Sequence, residues 1–143
     1  MDLTMTAAER QAFLADRHVG VISVERADGP PLSVPIWYVY EPGGELWVLT
    51  EATSRKGRLL ERARRYSLCA QHEDPTAYAY VTVEGPVTTV EPADREVHRR
   101  RIAHRYLGPE LGDAYLDATD IETTRFAMRP ERWWSADYTK MRP

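Results

Sequence analysis

The chain has 143 residues, 43% of them hydrophobic and 29% charged, with a formal net charge of -3 and one cysteine, Cys69. A globular chain of this length buries roughly 68–70% of its unfolded surface, so residues 1–143 read as a single domain that needs no metal or disulfide staples. The weakly acidic balance gives no general reason to expect nucleic acid or an anionic membrane as partner, and a lone thiol excludes an internal disulfide and any multi-cysteine metal site.

The N-terminus is too polar for a signal peptide, and no apolar run approaches the roughly 18 residues of a membrane span, so the sequence reads as cytoplasmic. Thr6-Ala7-Ala8-Glu9 has the capping-box pattern and predicts a short helix, with Phe13 and Leu14 on its apolar face, that ends near Asp16. Val19 to Val24 reads as a strand, the segment Ala27-Asp28-Gly29-Pro30-Pro31 as a turn, and Leu32 to Tyr40 as a second strand. Pro35 removes a ladder donor inside that strand, which calls for a bulge, an edge, or a place where the backbone faces a ligand. Glu41-Pro42-Gly43-Gly44 connects it as a hairpin to a third strand, Glu45 to Thr50.

The next stretch organises the rest. From Leu49 to Leu60 an apolar strand runs into a helix start, Ser54-Arg55-Lys56-Gly57-Arg58. Ser54 is a good N-cap, and free first-turn N–H groups, the positive helix end and the Arg55 and Lys56 charges can all face one anion. Of 19 basic residues only Lys56 and Lys140 are lysines, so one of them falls in this turn. Cations at a helix N-terminus are mildly unfavourable unless an anion joins them. The same residues also suit the solvated first turn of an ordinary helix, and local sequence leaves both readings open.

Tyr66 to Gln71 alternates as a fourth strand, and Tyr78 to Val90 forms a long fifth in which Gly85-Pro86 marks a bulge or bend. Pro92 to Leu107 is a helix ended by Gly108, Pro109 to Leu116 a further helical piece, and Thr123 to Met128 the last strand. From Pro130 on the chain reads as an aromatic tail with Trp133, Trp134 and Tyr138. Short strands joined by close turns predict a small antiparallel barrel, mainly β with helices, and the helix after the third strand would cross one mouth. His98 and His104 are six apart on one helix, which is not metal-ligand spacing, and they read as surface or partly packed residues. The cluster Arg95, Arg99, Arg100, Arg101, Arg105 comes without a groove-reading motif and reads as a solvated helix face or subunit contact. Trp47 reads as a core or interface aromatic.

The runs Val34-Pro35-Ile36-Trp37-Tyr38, Glu45-Leu46-Trp47-Val48-Leu49-Thr50, Ser54-Arg55-Lys56-Gly57-Arg58-Leu59-Leu60 and Val81-Thr82-Val83-Glu84-Gly85-Pro86-Val87 resemble the pyridoxamine 5'-phosphate oxidase-like superfamily in order and spacing. The resemblance covers about residues 8 to 137. It implies a six-stranded antiparallel split β-barrel of the FMN-binding type, a homodimer with cofactor in the grooves between subunits. By that resemblance Ser54, Arg55 and Lys56 grip the cofactor phosphate, Val34, Pro35, Ile36 and Trp37 line the ring, and Leu49 and Thr50 approach the ribityl chain or ring edge. Tyr80 stands where vitamin B6 oxidases carry a flavin-binding Gln, and Trp134 is the tail aromatic brought near the flavin.

The second strand lacks the Arg and Lys those oxidases place there, and their C-terminal Arg-containing substrate motif is not evident. Both departures argue against strict pyridoxamine phosphate oxidase activity. What remains resembles the shorter members that use FMN or, alternatively, the deazaflavin coenzyme F-420. The implied function is a flavoprotein oxidoreductase exchanging hydride with a small-molecule substrate. The alternative is a non-catalytic flavin-binding, storage or sensor protein, and a heme-binding relative ranks below both because no histidine is placed as an axial ligand. No second catalytic pair is evident beside the cofactor's own chemistry.

Overall fold

A computed structural model describes residues 1–141 of the chain. Helix α1 (Ala7–Ala15) starts at the expected box: Thr6 Oγ1 accepts the Glu9 N–H at 3.1 Å, and Glu9 accepts the Thr6 N–H at 2.8 Å. Lys140 Nζ also reaches Glu9, at 2.9 Å, so the C-terminal segment is pinned to the first helix. The Thr6 N–H first, then Lys140, hold the Glu9 carboxyl down to about 2 from its ordinary 4.5. A depressed carboxyl contributes stability above its unfolded value and loses it as pH falls through its folded one. Thermal melts of Glu9→Gln should therefore lie below those of the natural chain at neutral pH, with the gap closing between pH 4.5 and about 2.

Eight strands form one antiparallel sheet: β1 (Gly20–Val24), β2 (Leu32–Ile36), β3 (Tyr38–Tyr40), β4 (Leu46–Thr50), β5 (Arg65–His72), β6 (Ala79–Pro92), β7 (Thr124–Met128) and β8 (Arg132–Asp137). Their order is β2-β1-β5-β6-β7-β4-β3, with β8 beside β6. The path begins at β2 and ends at β3, and these are separated in the chain only by Trp37, so the sheet curls until its two ends share one segment. That is the curled, split-barrel form expected, but with eight strands where six were expected. Two features account for the difference. The second strand is interrupted at Trp37, and the segment read as an aromatic tail is strand β8, paired from Ala79↔Asp137 to Glu84↔Arg132.

β6 is long because it serves two partners on one edge. Its first half pairs with β8 and its second with β7, and the change-over falls at Gly85-Pro86, followed by a register shift between Val87 and Thr89. There the Arg129 N–H donates to Pro86 O at 3.0 Å and the Glu131 N–H to Glu84 O at 2.9 Å. The backbones approach so closely that a Cβ on Gly85 would lie 1.8 Å from Arg129 O.

Leu14, Ile22, Leu46, Val48, Leu60, Leu68, Val81, Phe126 and Met128 fill the interior. Two buried hydroxyls find backbone acceptors, as burial requires: Tyr38 Oη donates to Leu14 O at 2.7 Å and Tyr66 Oη to Phe126 O at 3.0 Å. Desolvation pushes both phenols well above the usual tyrosine range. Helix α2 (Arg55–Ala63) follows β4 and sends Leu60 into the core, with Leu59 and Ala63 against it. A π-helical turn (Arg95–Arg99), capped by Asp94, leads into helix α3 (Arg100–Ala118), which kinks at Gly108, where φ is +81°. A second apolar cluster, Val39, Trp47, Ile102 and Ala127, packs α3 on the sheet's other side, and Trp47 is buried there as expected. Among the described residues no helix is long and apolar enough to cross a membrane.

Candidate functional site

The N-terminus of α2 is built by the β4–α2 turn. Ser54 Oγ accepts the Gly57 N–H at 3.0 Å and donates to Glu51 O at 2.7 Å, with Thr50 Oγ1 3.2 Å away. Position 57 has to be glycine, because a Cβ there would meet Glu51 O at 2.2 Å. These contacts leave the first-turn N–H groups of Arg55 and Lys56 outside the intrahelical ladder. Among the described residues neither side chain has an ion-pair or hydrogen-bond partner. No acidic residue occupies the helix's first turn to offset them.

This turn opens on a cavity of about 600 Å³. Val34, Ile36, Trp37, Leu49, Thr50, Ser54, Arg55 and Lys56 all line it, so strands β2 and β4, the Trp37 break and the basic turn converge as expected. Thr50 is buried and the apolar walls come from Leu32, Val34, Ile36 and Leu49. The opposite wall was not foreseen. Arg99, Ile102, Tyr115, Leu116 and Thr119 from the α3 region, with Ile121 and Thr123 from the following loop, complete the cavity. The spacing of Arg99 and Ile102 puts them on one helix face, but an arginine in a run of arginines carries no sign of facing inward.

Three expected residues lie elsewhere. Pro35 is exposed and stands in register with Val21 on the outer face of β2, an edge strand of the sheet path, which is where a sheet tolerates proline. Tyr80 lies between Ala79 and Val81, both buried, so alternation turns it outward. Trp134 is 51% exposed and pairs with Thr82. Pro35, Val21, Cys69, Thr82 and Trp134 form one cross-strand row over β2, β1, β5, β6 and β8. They face away from the cavity of their own chain.

The arginine cluster is a set of clasps. Arg95 pairs with Asp117 at 2.8 Å, Arg100 with Glu96 at 2.7 Å and with Asp113, and Arg101 with Glu41. Arg99 donates to Thr119 O, which fixes the start of the loop that covers the cavity. His104 Nε2 lies 2.6 Å from Asp113 Oδ1 across the kink, and that contact and Arg100 hold the Asp113 carboxyl below its ordinary range. His98 accepts the Asp94 N–H at 2.9 Å and meets Trp47 edge-on; desolvation, reinforced by Arg125, lowers its pKa. Neither histidine lines the cavity, and among the described residues no group of three or more His, Cys, Asp or Glu could hold a metal ion.

A largely apolar, aromatic-walled cavity with two cations at a helix N-terminus, neither ion-paired among the described residues, fits a planar ring carrying a phosphate. Comparison with solved structures shows the fold. A conserved hypothetical protein from Mycobacterium tuberculosis matches at TM-score 0.75 and 24% identity, over 98% of this chain and 89% of that one. A structure described as an F-420 reductase matches at TM-score 0.69 and 18% identity, over 87% and 94%. An FAD-binding protein from Mesorhizobium loti matches at TM-score 0.61 and 18% identity, over 94% and 96%. No functionally curated protein matches. The family model described as pyridoxamine 5'-phosphate oxidase matches residues 6–134, nearly the whole of the chain, and the chain belongs to that family.

Proposed function

We propose that the protein is an oxidoreductase that binds FMN, or alternatively the deazaflavin coenzyme F-420, and exchanges hydride with a small molecule. The observation that carries this reading is the α2 turn, whose Arg55 and Lys56 have no hydrogen-bond or ion-pair partner among the described residues where they meet the apolar cavity. Its family is one of flavin-type oxidoreductases, and its structural neighbours include proteins described as an F-420 reductase and as FAD-binding.

When bound, the cofactor supplies the hydride chemistry at its ring. The chain's residues bind and orient it. Arg55 offers a planar fork and Lys56 a point charge to one phosphate, and the Ser54 cap keeps the first-turn N–H groups turned toward it. Val34, Ile36 and Leu49 give the ring an apolar bed, and Trp37 an aromatic edge. Glu51 is the one carboxylate among the described lining residues, so the walls serve chiefly to desolvate and hold.

The outer sheet row supports a homodimer. Val21 and Trp134 are 41% and 51% exposed in the same cross-strand row, an apolar stripe that a second copy would cover. Such a copy would bring its Trp134 and Tyr80 to the neighbouring cavity, which is how they would take part in the site. Sedimentation equilibrium at micromolar concentration should show a dimer. A monomer would contradict a site assembled from two chains.

A further inference from the structure

The interruption at Trp37 is held from far away in the sequence. Where the ladder stops, the Tyr38 N–H donates to Tyr106 Oη at 3.1 Å, a contact across 68 residues. That hydroxyl donates to His18 O at 2.6 Å, with Tyr38 O at 3.2 Å as a second acceptor. The Tyr106 ring lies flat on the Trp37 indole, centroids 4.8 Å apart and planes 4° apart. Tyr115 approaches the same indole at 5.8 Å from the second half of α3. Next to Tyr106, Arg105 donates to Ala15 O at 2.8 Å and Asp16 O at 2.7 Å, so one turn of α3 fastens the end of α1, the start of β1 and the strand break together.

Trp37 lines the cavity and Tyr106 does not. An indole at an interrupted strand has several staggered rotamers open to it unless something selects one. We propose that Tyr106 is a positioning residue that, through its stack and its hydroxyl, fixes Trp37 as a rigid wall of the cavity. The consequence for binding rests on the cofactor reading above; the positioning itself does not. Removing only the hydroxyl would leave the Tyr38 N–H without its partner and let the break relax.

The test is a cycle of Tyr106→Phe and Tyr106→Leu, each made in the natural chain and in Trp37→Phe. In the protein alone, the near-ultraviolet circular dichroism due to Trp37 is the difference between each chain and its Trp37→Phe counterpart. That difference should shrink in Tyr106→Phe and be largely lost in Tyr106→Leu; an unchanged difference overturns the proposal. With FMN as probe, Tyr106→Leu should weaken affinity about three- to tenfold in the natural background and have no further effect in Trp37→Phe. Equal weakening in both backgrounds would make Tyr106 a general support of the fold and overturn the assignment. If Tyr106→Leu does not fold, the Tyr106→Phe pair decides. If the natural chain binds neither FMN nor coenzyme F-420, the cofactor reading fails and the dichroism arm still decides the role of Tyr106.

Discussion

Replacing Arg55 and Lys56 together by alanine should lower FMN or coenzyme F-420 affinity at least about a hundredfold, since each charge-assisted hydrogen bond to phosphate is worth roughly 1.5–3 kcal/mol. The same double substitution should leave the melting temperature of the cofactor-free protein unchanged or slightly higher. Both follow from one fact: among the described residues neither side chain has a hydrogen-bond or ion-pair partner, so the fold loses none with them, and two cations leave a positive helix end. Binding curves and thermal melts on the same preparation read the two effects apart. Unchanged affinity in the double variant would remove the α2 turn from the site. Lost binding with a large fall in melting temperature would mean the turn is a structural element first.

Gly85→Ala should be strongly destabilising while leaving the cavity lining untouched. Its Cβ would stand 1.8 Å from Arg129 O, and the clash is with backbone, which has no rotamer to escape into. The neighbouring hydrogen bonds from Arg129 to Pro86 and from Glu131 to Glu84 fix both strands at this point. Relief would require β6 to part from the β7–β8 junction, where its partner changes. The expected cost is at least about 3 kcal/mol, the upper range for overpacking, equivalent to a melting shift on the order of 10 °C for a chain of this size. Equilibrium denaturation measures it. A loss of only a few tenths of a kcal/mol would mean that the β6 bend does not require the close approach described.

Local chemistry made much of this legible. Thr6 with Glu9 and Ser54 before Arg55 are caps whose partners lie three residues away, so the starts of α1 and α2 were readable within two turns of chain. Gly85-Pro86 marked the β6 bend because that pair fits a break in a ladder. What stayed hidden depends on distant partners. The strand break at Trp37 is bonded by Tyr106, 68 residues on from Tyr38, while the local oddity, Pro35, sits on an edge. β8 was read as a tail because adjacent Trp133 and Trp134 conceal the alternation that its pairing with β6 reveals.

The same distinction applies to the site. Val34, Ile36 and Trp37 are neighbours in sequence, Leu49 and Thr50 run directly into the basic turn, and the two groups meet in one cavity because β3, which follows Trp37, pairs with β4. The α3 wall was missed because Arg99 belongs to a run of arginines whose pairing with Asp117, Asp113, Glu41 and Thr119 only the folded chain shows. Tyr80 and Trp134 face outward, so any role for them is a question about a second copy.

The most direct test of the central claim is titration of the cofactor-free protein with FMN and, separately, with coenzyme F-420, following the fluorescence of each. Saturable binding of one of them, at one per chain, is the expected result. FMN alone would direct the search to oxygen and nicotinamide partners; the deazaflavin alone would direct it to acceptors of hydride from the reduced coenzyme. Binding of neither would rule out a flavin or deazaflavin site and return Arg55 and Lys56 to the solvated face of an ordinary helix.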